Sequence, residues 1–213
     1  MARPNAGTKG VPRLDRETQI LDIASEQFGT HGFAATSVAA IAELAGISKP
    51  LIYNYFGSKE GLFEACLDRG GALVADEIER IARGDAVGIQ RGMETLAGMF
   101  ALLEDRRHLW RMFFDITAPS TGPIAQSASL YADRIGKLAE EGVAELMGLA
   151  GNDDTLDISA MTSVWLGIVD SLMNWWVEHP TETADQMMQR CTRLLTALFG
   201  GAESVSTSGA TAE

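Results

Sequence analysis

Residues 36–63 read Thr36-Ser37-Val38-Ala39-Ala40-Ile41-Ala42-Glu43-Leu44-Ala45-Gly46-Ile47-Ser48-Lys49-Pro50-Leu51-Ile52-Tyr53-Asn54-Tyr55-Phe56-Gly57-Ser58-Lys59-Glu60-Gly61-Leu62-Phe63. Thr36 and Ser37 are good N-caps for a short helix that carries Val38, Ile41, Ala42 and Ala45 on one face. Gly46 stops that helix. Ser48 caps a second short helix with Pro50 in its first turn, where a missing N–H costs little. This helix runs to Phe56, Gly57 ends it, and Ser58 caps a longer helix that continues to about Arg83. Two short helices separated by Gly46-Ile47-Ser48 have the grammar of a helix-turn-helix. Ile41, Ala42 and Ile47 pack the pair together, with Leu51 or Ile52 and Phe56 completing a small core. So small a unit needs the long helix to lean on, and Leu62 and Phe63 supply that contact.

With the inward positions assigned, the second short helix presents Lys49, Pro50, Tyr53, Asn54 and Tyr55 outward. A lysine can reach guanine O6/N7 or a phosphate, and a proline ring can touch a thymine methyl. Tyrosine, serine and asparagine side chains donate to phosphate oxygens, which brings in Ser37 and Ser48 at the two helix starts. Lys59 adds its charge to the positive end of the next helix. Upstream, residues 1–13 carry Arg3, Lys9 and Arg13 among prolines and glycines and read as a flexible basic arm able to follow the DNA backbone or enter the minor groove. Ile20, Ala24 and Phe28, with Leu21, then mark a first helix, closed by Gly29 and Gly32.

The quoted segment resembles the DNA-binding signature of the TetR family of bacterial regulators. In that family a Thr or Ser begins the second helix and Ile-Ala follows to pack on the first. Gly-Val/Ile-Ser forms the turn, Leu/Ile-Tyr-x-His/Tyr-Phe ends the recognition helix, and a Lys opens the fourth. Thr36, Ile41-Ala42, Gly46-Ile47-Ser48, Ile52-Tyr53-Asn54-Tyr55-Phe56 and Lys59 fill these positions, and Ala24, Phe28, Gly32 and Phe33 fit the family's first helix. The likeness covers about residues 16–64. It implies a homodimer reading a roughly palindromic operator, with a divergent C-terminal domain whose last two long helices form the dimer contact; residues 155–199 occupy that place.

The charge balance qualifies this. The 213 residues carry a net charge of −12, which taken alone argues against a nucleic-acid binder. The acid is concentrated downstream: residues 1–66 sum to −1 and residues 67–213 to −11. A local DNA-binding face is therefore permitted. Cys66 and Cys191 are too far apart for a metal or redox motif and read as buried thiols in a reducing cytoplasm. His31, His108 and His179 have no carboxylate at metal spacing. Nothing resembles a secretory signal, and no run reaches 18 uninterrupted apolar residues, so no membrane span or membrane partner is expected. No nucleophile elbow, phosphate loop or dinucleotide fingerprint occurs; the chain reads as a non-enzyme without a cofactor, working in the cytoplasm.

Beyond residue 84 the pattern is helical throughout, with helices expected at about 85–105, 107–116, 123–149, 155–178 and 182–199, separated by clusters of turn residues. The expected class is all-α: an arm at 1–13, a helix-turn-helix domain at 14–60, a helical ligand-binding and dimerisation domain at 61–200 and a disordered polar tail at 201–213. Aromatic and Met side chains crowd residues 93–114 and 155–178 and can line an adaptable cavity. Trp110, Phe114, Met161 and Trp165 are the candidate ligand contacts. Asp170 is the only charged residue between Ile158 and Val177 and is the candidate polar anchor. The same residues would also fill an ordinary core. The expected function is a DNA-binding repressor released by a small, largely apolar effector. Two alternatives stay open: a ligand-independent DNA-binding or interaction protein with a filled core, and an all-helical enzyme or carrier.

Overall fold

The computed structural model describes residues 12–199; Arg3, Lys9 and the tail at 201–213 lie outside the described residues. Among the described residues the chain forms nine helices and no strand. They are α1 (Arg13–Ala35), α2 (Val38–Leu44), α3 (Lys49–Phe56), α4 (Lys59–Ala82), α5 (Gly88–Leu103), α6 (Arg107–Phe113), α7 (Pro123–Leu149), α8 (Thr155–Val177) and α9 (Ala184–Phe199).

The helix ends follow from local chemistry. Ser37 and Ser58 accept the Ala40 and Gly61 N–H groups at 3.1 and 3.0 Å, and Asp154 accepts those of Leu156 and Asp157. Gly46 takes φ 65°, so the Ile47 N–H can turn back to the Ala42 carbonyl at 3.0 Å and the Gly46 N–H to Glu43 at 3.1 Å. That pair of bonds closes α2 and aims α3 across it. Thr183 and Gln186 form a reciprocal capping box ahead of α9.

Two expectations are corrected. Gly29 does not close the first helix: α1 runs to Ala35, and Gly29 is instead where α6 crosses, so closely that a Cβ there would lie 2.1 Å from the His108 carbonyl oxygen. Gly32 (φ 80°, ψ 163°) interrupts the regular helix where its end was expected, and a short helical piece follows to Ala35. Ser48 stands at the start of α3, but its side chain makes no capping bond. Three edges also shift. Helix α6 stops at Phe113, because the Asp115 carboxylate turns back to α1. Helix α5 starts at Gly88, because the preceding Ala86 carbonyl accepts from Arg91 at 2.8 Å. Helix α9 begins at Ala184, behind its capping box.

The core runs continuously from the N-terminal helices into the C-terminal ones. Phe28, Ile41, Ile52, Leu62 and Phe63 bury the junction of α1 to α4. Phe28 and Phe33 pack on Phe63 at 4.9 and 5.2 Å in edge-to-face geometry. Further along, Leu96, Phe100, Leu103, Met173 and Trp176 are buried together, and the Phe100 and Trp176 rings meet at 5.0 Å. Cys66 and Cys191 are buried and unpaired, and burial pushes the Cys66 thiol up to about 12, so it stays neutral.

Helix α6 is the wedge between these parts. One side lies on α1 at Gly29, and another on α4, where Gly70 faces Leu109, Met112 and Phe113. Its cations serve α8. Arg107 stacks 3.8 Å from the Trp176 ring and donates to the Trp176, His179 and Glu182 carbonyls, while Arg111 donates to Val177. The Trp176 and Val177 carbonyls belong to the last turn of α8, where a cation is favoured.

Candidate functional site: a helix-turn-helix face and an apolar cavity

The turn between α2 and α3 leaves one side of α3 open. Lys49, Pro50, Tyr53 and Asn54 are exposed and occupy an arc of about 140° at 100° per residue. Ile52 faces the opposite way and is fully buried. The Lys49 ammonium lies 5.5 Å from the Tyr53 ring centroid, a cation–π contact that holds both side chains outward. Ser37 and Ser48 flank this face and are exposed, Ser48 without a capping bond.

Tyr55 and Lys59 stand apart from this group. Tyr55 is half-buried against the core beside Phe56, with the Arg13 guanidinium 5.3 Å from its ring. Arg13 thus belongs to the first turn of α1 rather than to a free arm. Lys59 folds onto the end of α1: its Nζ lies 3.4 Å from the Ala34 carbonyl and 4.4 Å from the Phe33 ring. The same corner is tied from the other side. Asp115 accepts the Phe33 N–H at 2.5 Å, and Thr117 accepts the Ala34 N–H at 3.1 Å. Asp115 in turn takes the Thr117 N–H and hydroxyl. These donors lost their helical partners at the Gly32 break, and the loop after α6 satisfies them.

The second feature is a partly open cavity of about 620 Å³ lined by α4, α5, α6, α7 and α8. The structure brings Trp110, Phe114, Met161, Trp165 and Asp170 to its wall, all five from the two segments that sequence had separated by about fifty residues. Trp110 and Phe114 pack at 4.9 Å. Asp170 is half-buried and accepts from Asn174 Nδ2 at 3.0 Å, while the Asn174 oxygen accepts the Trp110 indole N–H at 2.8 Å.

Helix α7 is the wall that sequence reasoning missed. Ala128, Ala132, Gly136, Ala139 and Gly142 lie along its inner side. Their spacing of three and four residues is a legible signal: small side chains on an inward stripe leave room instead of filling it. Arg91 was missed as well. It lines the cavity but is neutralised by Glu145, Nη1 to Oε2 at 2.9 Å.

Helix α8 carries the cavity on one side and little cover on the other. Leu156 and Val164 are exposed there, as is Leu194 on α9. By length and composition α8 is apolar enough to cross a membrane, although no uninterrupted apolar run of that length was found in the sequence.

Fold and face together define a helix-turn-helix of the DNA-binding kind joined to a larger helical part with a cavity. The family model for bacterial regulatory proteins of the tetR family matches residues 20–66. Over those 47 of 213 residues the chain is similar to the bacterial regulatory proteins of the tetR family.

It is similar to the transcriptional activator FasR of Mycolicibacterium smegmatis, 31% identical over 116 residues; the match spans 53% of each chain, about half of that relative's length. It also resembles MftR of Mycobacterium tuberculosis, a regulator assigned to mycofactocin biosynthesis, at 28% identity over 82% of this chain and 86% of that one. Among solved structures, FadR of Bacillus subtilis in complex with stearoyl-CoA shares the fold, with a TM-score of 0.66 at 18% identity, over 81% of this chain and 95% of that one.

Proposed function

We propose that the protein is a repressor that binds a palindromic operator as a homodimer and is released when a small, largely apolar molecule fills the cavity. Residues 14–60 would read DNA, and residues 61–200 would sense the effector and dimerise. Lys49, Pro50, Tyr53 and Asn54 would face the major groove. Ser37, Ser48, Tyr55 and Lys59 would serve the phosphates, Lys59 only after leaving the Ala34 carbonyl. Homodimerisation through residues 155–199 is supported by the exposed apolar side chains of α8 and α9, which a partner copy would cover.

The observation that carries the ligand reading is the cavity itself. Its volume lies within the usual range for small-molecule sites, and α4, whose first turn packs on α3, forms part of its wall. A filled core would have favoured the ligand-independent alternative. FadR holds stearoyl-CoA on the same fold, which supports a long apolar occupant. Ligand would shift α4 and α6 and so change the spacing of the two recognition helices, which must match successive major grooves. It can act only by favouring the state that does not fit DNA.

Selection of bound fragments from a random DNA pool across a salt series tests the first half. A recovered palindrome, bound by two copies with affinity falling steeply as salt rises, is the expected result. No enrichment at any salt overturns it. Calorimetry with an effector then tests the second half: equal affinity for free and operator-bound protein would exclude release by ligand.

A further inference from the structure

We infer that the effector carries a cationic amine at one end of a long apolar body and that Asp170 receives it. This rests on the reading of the cavity as a ligand site and narrows its chemistry.

The shape argues for length. The α7 part of the wall runs from Ala128 to Leu146, about 27 Å at 1.5 Å per residue. The cavity follows α7 along this length, and its lining is overwhelmingly apolar. An extended chain or a row of rings fits it better than a compact molecule.

The charge argues for the amine. Arg91 and Asp170 are the charged residues on the wall among those described. Arg91 is paired with Glu145. Asp170 has no ion-pair partner among the described residues. The nearby cations are committed elsewhere: Arg107 and Arg111 donate to carbonyls at the end of α8. Asp170 accepts one bond from Asn174 on Oδ1, and Oδ2 has no donor. The cavity thus has one uncompensated charge, and it is negative. A half-buried carboxylate favours a partner that is positive and donates hydrogen bonds.

The surroundings agree. Asn174 is oriented by the Trp110 indole N–H, so its amide N–H is directed to Asp170 and fixes that carboxylate. Trp110, Phe114 and Trp165 line the same cavity, and aromatic faces attract an ammonium group. A carboxylate or phosphate head would meet repulsion from Asp170 and would have to displace Glu145 to reach Arg91.

The test is calorimetric titration of the full chain with dodecylamine, dodecanol and dodecanoate, which share one tail and differ in the head. About 0.5 M salt screens attraction to the acidic surface. Dodecylamine is expected to bind at least about tenfold more tightly than the other two. Asp170→Asn is expected to erase that preference while keeping dodecanol binding, and Asp170→Glu to keep part of it. Dodecanol or dodecanoate binding as tightly as the amine overturns the inference and leaves the ligand reading standing. An amine preference that survives Asp170→Asn reflects surface charge and also overturns it. If none of the three binds, the ligand reading falls with it.

Discussion

Gly29 and Gly32 stand three residues apart in α1 and do opposite things. Gly32 breaks the helix through its positive φ, whereas Gly29 is helical and exists for contact. A methyl at Gly29 would meet the His108 backbone, which cannot swing aside. Gly29→Ala is therefore expected to lower stability by about 1–3 kcal/mol in urea unfolding, despite alanine's better helix propensity. Gly136, on the cavity side of α7, has nothing within reach of an added methyl. There the propensity gain is unopposed, and Gly136→Ala should raise stability by about 0.5–1 kcal/mol. On the DNA face, Lys49→Ala should weaken operator binding and reduce the salt slope by about 1 if the lysine meets a phosphate, measured by fluorescence anisotropy over a salt series. An unchanged slope with lost sequence preference would assign Lys49 to a base edge instead.

At the scale of elements, α6 matters more than its seven residues suggest. It meets α1 at Gly29 and α4 at Gly70, lines the cavity through Trp110 and Phe113, and ends at the Asp115–Thr117 loop that holds the α1 break. Asp115→Ala removes the acceptor for the Phe33 N–H and for Thr117, with an expected cost of about 1–2 kcal/mol. Hydrogen exchange should show faster exchange at Phe33 and Ala34 than in α2. A second tie joins α4 to α7, where Arg134 bridges Asp76 and Glu79. The Arg134 hydrogen bond holds the Glu79 carboxyl below the usual glutamate range. Its folded value is depressed, so its stabilising contribution is present above the unfolded value and is lost as pH falls through the folded one. Thermal melts from about pH 6 downward should therefore fall less steeply in Glu79→Gln than in the parent chain.

At the scale of the whole molecule, the proposed dimer rests on the exposed apolar residues of α8 and α9. Val164→Glu and Leu194→Glu each place a charge where the proposed partner would lie. Sedimentation should show a shift from dimer to monomer, and operator affinity should fall with it because one recognition helix cannot span two half-sites. A dimer unaffected by both changes would move the interface elsewhere. The acidic balance of the C-terminal part fits this division of labour. In the proposed reading DNA would approach only the N-terminal face, while residues 67–213 carry most of the net charge of −12.

Local chemistry made much of this legible beforehand. The serine and aspartate caps, the Gly46 turn and the buried alternation of Val38, Ile41 and Ala42 act over one or two helical turns, so the order of residues 36–63 is enough to specify them. Helix positions elsewhere follow from the same short-range rules. What needed the tertiary structure was anything set by the crossing of distant helices. Gly29 reads as a stop until α6 is seen against it, and Lys59 reads as exposed until Ala34 and Phe33 are seen beneath it. The α7 stripe of small residues reads as mere spacing until four other helices are seen to leave it uncovered. Asp170 was singled out as a lone charge in an apolar helix, but that Arg91 is neutralised while Asp170 is not depends on which carboxylate folding brings within 3 Å of the guanidinium. Sequence determines helices through neighbours along the chain; cavities and uncompensated charges arise between helices, where only packing decides.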